Sequence, residues 1–202
     1  MKKNNYTITA YTENSVGLLS RITAIFTRRH INIKSLNVSE TEKKGISRFT
    51  IVVCETEDMV NKVTKQIRKI VEAMRVDFHT ENMLISTQLG LFKIEMKEEQ
   101  YANNVRLVAE KNNAKELARS GNMVVFQKVS NREGLEAFFA ELRKFGEVEY
   151  ARSGRVALSM RSIVLKKILT ELPTINNYEA EYTMDHHGKL EDLEVKLNGN
   201  LN

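Results

Sequence analysis

Three positions near the amino terminus are of a type and spacing that suit a small charged ligand. Asn14 and Gly17 precede a segment with helical spacing, and Asn32 begins the strand-like segment that follows. The first turn of a helix presents backbone N–H groups and a partial positive charge, which attract a carboxylate. Gly17 would let a ligand approach this backbone closely, because no Cβ stands in the way. Each asparagine offers an acceptor to an ammonium group and a donor to a carboxylate.

A free amino acid is the smallest common ligand that carries both of these charges, so the three positions predict an amino-acid site. A purely structural interpretation stays open beside it. In that interpretation Asn14 or Ser15 caps the helix, Gly17 lies in its first turn, and Asn32 only begins a strand.

Other reactive side chains give weaker signals. His186 and His187 are adjacent and would point apart, which does not favour a metal site. Glu147 and Glu149 share one face of a predicted strand, where pairs of carboxylates are common. Cys54 is the only cysteine and excludes an internal disulfide. Nucleophile-elbow, phosphate-loop and dinucleotide motifs are absent from the sequence. We therefore expect no catalytic residue and no metal or cofactor bound by this chain.

The composition is that of a soluble globular protein. The chain has 202 residues, 42% of them hydrophobic and 28% charged, with a net charge of +5. Acidic and basic side chains alternate along most of the sequence, which disfavours a nucleic-acid-binding stripe. The sequence has no apolar segment of the length of a signal peptide or a membrane span, so we expect a cytoplasmic protein without a membrane partner.

Apolar periodicity in the first part of the chain predicts a βαββαβ unit. Alternation favours strands and a spacing of three to four favours helices. The apolar phase of the second strand slips once, which predicts a β-bulge. Residues 59, 63, 67, 70 and 74 predict the second helix, and Val76 begins the fourth strand. The predicted elements are a strand at 6–11, a helix from 18 to 26, strands at 31–38 and 46–53, a helix at 59–74 and a strand from 76.

The same order recurs after a polar stretch, so the fold class is α+β, with two tandem ferredoxin-like βαββαβ units. We expect the first domain at 5–79, a linker at 80–87, the second domain at 88–160 and a tail at 161–202. The tail would hold a short amphipathic helix before Pro173 and be partly disordered. The elements predicted in the second domain are strands at 88–96, 114–120 and 121–130, helices at 103–112 and 132–146, and a strand or hairpin at 147–159.

Some RNA-binding modules share this topology, but they carry aromatic platforms on the central strands. The third predicted strand, GISRFTIVV, has one aromatic residue and no basic–glycine–aromatic run. The RNA-binding interpretation is therefore a minor alternative.

Residues 12–53, TENSVGLLSRITAIFTRRHINIKSLNVSETEKKGISRFTIVV, closely resemble the N-terminal ACT domain of the small, regulatory subunit of acetolactate synthase, also called acetohydroxyacid synthase. Residues 151–158, ARSGRVAL, resemble the end of the second domain of that family. Family-pattern positions in the first stretch are Glu13, Asn14, Gly17, Leu19, Arg21, Asn32, Ile33, Ser35, Leu36 and the residues from Ser47 to Ile51.

The resemblance implies a subunit without catalysis of its own. It would dimerise through its ACT domains and bind a separate catalytic subunit that carries thiamine diphosphate, Mg²⁺ and FAD. It would raise the activity of that partner and mediate feedback inhibition by a branched-chain amino acid, usually valine. The family places the effector between two chains, which here implies the positions Asn14, Gly17, Leu18, Leu19, Asn32 and Ile33.

Two further hypotheses remain from the sequence. The tail could contact the catalytic subunit through Ile163, Leu165, Ile168 and Leu169. A different ACT protein, sensing another amino acid for another enzyme, is the alternative to the acetolactate synthase subunit.

Overall fold

The computed structural model describes residues 2–159, and these form two βαββαβ units in sequence, as predicted. The first unit has a four-stranded antiparallel sheet in the order β2-β3-β1-β4. Both of its helices pack on one face of that sheet. The elements are β1 (Asn4–Glu13), α1 (Leu18–Thr27), β2 (Ile33–Glu40), β3 (Ile46–Glu55), α2 (Glu57–Ile67) and β4 (Ala73–Thr80).

Alternation along the strands builds the first core. Ile8 and Ala10 of β1 are fully buried, and they lie in one cluster with Ile22 and Phe26 of α1 and Ile67 of α2. The apolar face of each helix therefore packs on the inward-facing positions of the central strand.

Two details of the first unit bear on the predictions. The bulge predicted in the second strand is present, because the register of β2 against β3 shifts between Ile33 and Ser35. The second helix ends at Ile67 rather than continuing to residue 74. Ile70 lies in the following turn, where it still packs against the core, and Met74 lies in β4. Ile70 in the turn and Met74 in β4 continue the helical spacing of the apolar residues, so the spacing predicted the end of the second helix too late.

The second unit has the sheet order β6-β7-β5-β8, with β9 pairing to the first part of β5. Phe92, Phe126 and Phe138 are fully buried and form its aromatic centre. The elements are β5 (Leu84–Met96), α3 (Ala102–Lys111), β6 (Lys115–Ser120), β7 (Met123–Ser130), α4 (Arg132–Leu142), β8 (Gly146–Arg152) and β9 (Val156–Ser159), with 3₁₀ turns at Glu81–Met83 and Glu99–Tyr101.

The linker predicted at 80–87 is mostly regular structure. Thr80 ends β4, Glu81–Met83 is a 3₁₀ turn, and residues 84–87 are the first part of β5, where they pair with β9. Ser86 and Gln88 occupy inward positions of this strand, so its polar composition concealed the alternation. The tail predicted at 161–202 lies outside the described residues.

Candidate functional site

Helix α1 begins at Gly17 without a side-chain cap. Gly17 is the N-cap residue, with φ 80° and ψ −6° in the left-handed region that glycine adopts most readily. The first α-helical bond runs from the Arg21 N–H to the Gly17 carbonyl, at 3.2 Å between N and O. Among the described residues, neither Asn14 nor Ser15 places its side chain on this helix end, which was the structural interpretation of the sequence.

Two other helices of the described chain show what α1 lacks. The Thr56 hydroxyl caps α2 by accepting the Met59 N–H, and the Asn131 side chain caps α4 by accepting the Gly134 N–H at 2.9 Å. Helix α3 instead continues from a 3₁₀ turn. The Leu18 N–H donates to the Ser15 carbonyl at 3.4 Å, so the Leu19 and Ser20 N–H groups are the first-turn donors of α1 that an anion could bind.

The loop before α1 is held at both ends by Glu72, in the turn before β4. The Glu72 carbonyl accepts the Glu13 N–H at 3.0 Å, and its carboxylate binds the Arg21 guanidinium at 2.5 Å. This hydrogen bond from Arg21 lowers the pKa of the Glu72 carboxyl. The Asn14 N–H is also bound, to the Gly45 carbonyl at 2.8 Å. Sequence reasoning missed Glu72, since its ion-pair partner is 51 residues away and no local pattern marks it.

The side chains of this loop divide between solvent and core. Val16 and Leu19 are exposed, and a Cβ built at Gly17 would meet no heavy atom within 4 Å. Leu18, in contrast, is only 2% exposed and belongs to the core. Only the backbone of Leu18 can face a ligand, whereas Leu19 can present its side chain.

Asn32 and Ile33 lie at the far end of the same sheet. Ile33 begins β2 opposite Val53, and Val53 also pairs with Tyr6 near the start of β1. Gly17 lies just beyond the other end of β1, which ends at Glu13, seven residues after Tyr6. At roughly 3.3 Å per strand residue this separation is about 23 Å. One chain therefore does not bring Asn32 and Gly17 together.

Strand β2 pairs with β3 and with no second strand among the described residues, and Gly154 and Arg155 approach it at Ser35 and Leu36. Asn32 is exposed in front of this strand and Ile33 is half-buried against the core. An edge strand with unpaired N–H and C=O groups is a natural site for pairing with another chain.

Comparison with known proteins decides the family. Residues 8–75 match the model of the acetolactate synthase (AHAS) small-subunit-like ACT domain, and residues 87–161 match the model of the small subunit of acetolactate synthase. The chain is 33% identical over 153 residues to the acetolactate synthase small subunit of Bacillus subtilis, covering 75% of this chain and 88% of that one.

The chain belongs to the acetolactate synthase small-subunit family. It is also similar to the probable acetolactate synthase small subunit of Archaeoglobus fulgidus, with 32% identity over 153 residues that cover 76% and 95% of the two chains. The crystal structure of the Thermotoga maritima acetolactate synthase small subunit has a TM-score of 0.71 and 24% identity, and covers 79% and 99% of the two chains. That likeness supports the two-domain fold of the small subunit.

The other candidate residues from the sequence have ordinary structural roles in the described part of the chain. Glu149 forms an exposed ion pair with Lys93, and this pairing lowers the pKa of the Glu149 carboxyl. Glu147 is exposed on the same strand. Cys54 is half-buried near the end of β3. Phe49, the aromatic residue of β3, is 2% exposed and packed in the core, so β3 offers no aromatic surface for bases.

Across residues 2–159, no three His, Cys, Asp or Glu side chains are grouped so that they could hold a metal ion. His186 and His187 lie outside that range. None of the helices at 2–159 has the length and apolar character needed to cross a membrane.

Proposed function

We propose that this chain is the regulatory subunit of acetolactate synthase and senses a branched-chain amino acid, valine first among them. It binds the separate catalytic subunit, raises the activity of that subunit and makes the activity respond to the effector. Thiamine diphosphate, Mg²⁺ and FAD belong to the catalytic partner in this proposal, and the complex works in the cytoplasm. Membership of the small-subunit family supports the role, and the placement of Gly17 and Asn32 carries the site assignment.

The site forms between two copies of the chain. When two β2 edges pair antiparallel around a two-fold axis, the start of one β2 lies beside the end of the other. That arrangement moves Asn32 of one protomer to the end of the sheet where Gly17 of its partner lies. Asn32 and Gly17 are about 23 Å apart along the sheet of one chain, but the two-fold axis places Asn32 of one protomer at the same end as Gly17 of its partner.

The two halves of this shared site complement a free amino acid. The Leu19 and Ser20 N–H groups receive the carboxylate, and the side-chain oxygens of Asn14 and Asn32 accept from the ammonium group. Leu19 and Ile33 supply apolar surface for a branched side chain. An effector of this kind fits better than a phosphate or a dicarboxylate, which would leave the apolar side chains without a partner.

Inhibition then follows from linkage. Valine binds one arrangement of the complex more tightly than the other. The difference in binding free energy shifts the equilibrium of the complex toward the arrangement in which the catalytic subunit is less active. Couplings of this type are typically about 1–3 kcal/mol, or roughly 5–150-fold in affinity.

A complementation experiment tests the shared site. Gly17→Asp blocks the loop half and Asn32→Ala weakens the strand half, so each variant alone should activate the catalytic subunit without inhibition by valine. In a mixed dimer one of the two pockets contains both native halves. Random mixing at equal amounts leaves about a quarter of all pockets intact, so acetolactate formation should regain partial valine sensitivity.

The outcomes separate the parts of the proposal. A mixture as insensitive as either variant contradicts the shared site. A wild-type chain that activates acetolactate formation but does not respond to valine, leucine or isoleucine contradicts the sensing role. No effect on acetolactate formation favours an ACT-domain sensor of another enzyme.

A further inference from the structure

The segment ARSGRVAL, which resembles the end of the family's second domain, connects β8 to β9, and both of these strands pair with β5. Its Ser153 is anchored in the second domain. The Ser153 N–H donates to the Leu89 carbonyl and its hydroxyl accepts the Leu89 N–H, both at 2.9 Å. The Gln88 amide also donates to the Ser153 carbonyl at 2.9 Å. The next two residues therefore extend from a fixed point.

Gly154 and Arg155 contact β2 of the first domain directly. The Arg155 N–H donates to the Ser35 hydroxyl at 2.9 Å. A Cβ added at Gly154 would lie 2.7 Å from the Leu36 carbonyl oxygen, so only glycine permits this approach without a backbone shift. The second domain thus contacts β2 through the backbone of Gly154 and Arg155.

The Arg155 side chain extends the same contact to β1. Its guanidinium donates to the Thr7 hydroxyl at 3.2 Å and binds the Glu81 carboxylate at 3.1 Å. Thr7 is fully buried, and the Arg155 side chain is only 13% exposed. The arginine is therefore held by two strands and by the 3₁₀ turn between the domains.

The contact falls at the irregular point of β2. Ser35 follows the bulge, and the candidate effector residues Asn32 and Ile33 precede it. A bulge is a place where the pairing of a strand can change locally, because one residue is left out of the ladder. Asn32 and Ser35 are three residues apart, so a change in the backbone at Asn32 would move the Ser35 hydroxyl.

We infer that Gly154 and Arg155 couple the effector-binding start of β2 to the second domain. They are positioning residues in this inference, because their contacts hold β2 and the second domain in one arrangement. This inference rests on the proposed function, because it assumes that an effector binds at Asn32. Loss of the contact leaves effector binding in place and weakens its transmission to the catalytic subunit.

Arg155→Met, compared with Arg152→Met, is the test. Arg152 lies in the same segment and carries the same charge, but its guanidinium contacts Glu136 of its own domain at 3.7 Å. Valine binding to the dimeric regulatory subunit is measured by calorimetry, and inhibition is measured as acetolactate formation by the full complex. We expect Arg152→Met to match the wild type in both assays.

For Arg155→Met, we expect a valine dissociation constant within about threefold of the wild type. The ratio of the half-inhibitory valine concentration to that constant should rise at least about tenfold, within the usual range of coupling. Ser35→Ala removes the acceptor of the Arg155 N–H from the β2 side and should change the same ratio in the same direction. The Arg48 guanidinium still donates to the Ala157 carbonyl in these variants, so the domains keep a second contact.

Three results are decisive. Arg155→Met with wild-type inhibition overturns the inference while the proposed function stands. Binding and inhibition lost in equal proportion also overturn it, because Arg155 would then only support the pocket. A wild-type chain that binds no branched-chain amino acid overturns the proposed function and this inference with it. If Arg155→Met fails to fold, Arg155→Lys and Ser35→Ala carry the test, since lysine keeps the charge beside Glu81 but loses the forked geometry.

Discussion

Gly17→Ala separates the structural role of this glycine from its role in binding, because Gly121→Ala is a matched control. Both glycines have positive φ, 80° and 56°, and a Cβ at either one would meet no heavy atom within 4 Å. Gly17 precedes α1, whereas Gly121 lies in the turn between β6 and β7. The two substitutions therefore impose the same kind of strain at places with different proposed functions.

The expected stability change follows from the backbone alone. A left-handed conformation costs a residue with a Cβ roughly 1–2 kcal/mol. The lower entropy of the unfolded chain offsets about 0.4–1 kcal/mol of this cost. Each variant should therefore lose about 1 kcal/mol of unfolding free energy, or about 2–4 °C in melting temperature for a chain of this size.

The two variants should differ in their response to valine. A methyl group at Gly17 faces the proposed carboxylate position, so the half-inhibitory valine concentration should rise at least about tenfold, which corresponds to about 1.4 kcal/mol. Gly121→Ala should leave that concentration unchanged. Thermal unfolding and valine titration of acetolactate formation measure the two effects on the same preparations. Equal valine responses in both variants would refute the assignment of the effector site to Gly17.

Three further predictions concern stability. Phe138→Ala should cost about 3–5 kcal/mol in urea unfolding, since the ring is fully buried against Phe92 and Phe126, while Phe139→Ala at a half-buried position should cost less. Thr56→Ala should cost about 1 kcal/mol by removing the cap of α2, and Thr56→Ser should restore most of it. The hydrogen bond from Arg21 lowers the pKa of the Glu72 carboxyl in the folded state. The ionised carboxylate therefore stabilises the fold above the usual pKa of glutamate, and this stabilisation is lost as the pH falls through the lowered pKa. Arg21→Met should therefore make the acid loss of stability shallower in denaturant unfolding between pH 2 and pH 6; an unchanged slope would contradict this reasoning.

Much of the fold was predictable because the alternation of residues records which face of a strand is buried. Ile8 and Ala10 of β1 are fully buried as their spacing predicts, and the phase slip in β2 marks a real bulge. The errors occurred where two elements share one pattern, as at the end of α2, or where inward positions are polar. Gln88 is 5% exposed in β5, and a buried glutamine gives no hydrophobic signal.

The site was predictable in its residue types but not in its geometry. Asn14, Gly17 and Asn32 stand out by type and spacing, yet only the strand registers show that Asn32 and Gly17 occupy opposite ends of one sheet. The exposure of Leu19 and the burial of Leu18 likewise depend on how α1 lies on the sheet. Ser35 and Arg155 are 120 residues apart, so their contact has no local sequence signal.

The lack of a side-chain cap on α1 has a consequence for the amount of protein as well as for its activity. In our proposal, the effector carboxylate does for this helix what Thr56 does for α2, so the ligand completes a structural element of the fold. A ligand that binds only the folded state raises the free energy of unfolding by about 2.7 kcal/mol when its concentration is about a hundred times its dissociation constant. The same amino acid that restrains the catalytic partner should thus protect the regulatory subunit from proteolysis, and its supply would set how long the inhibited complex persists.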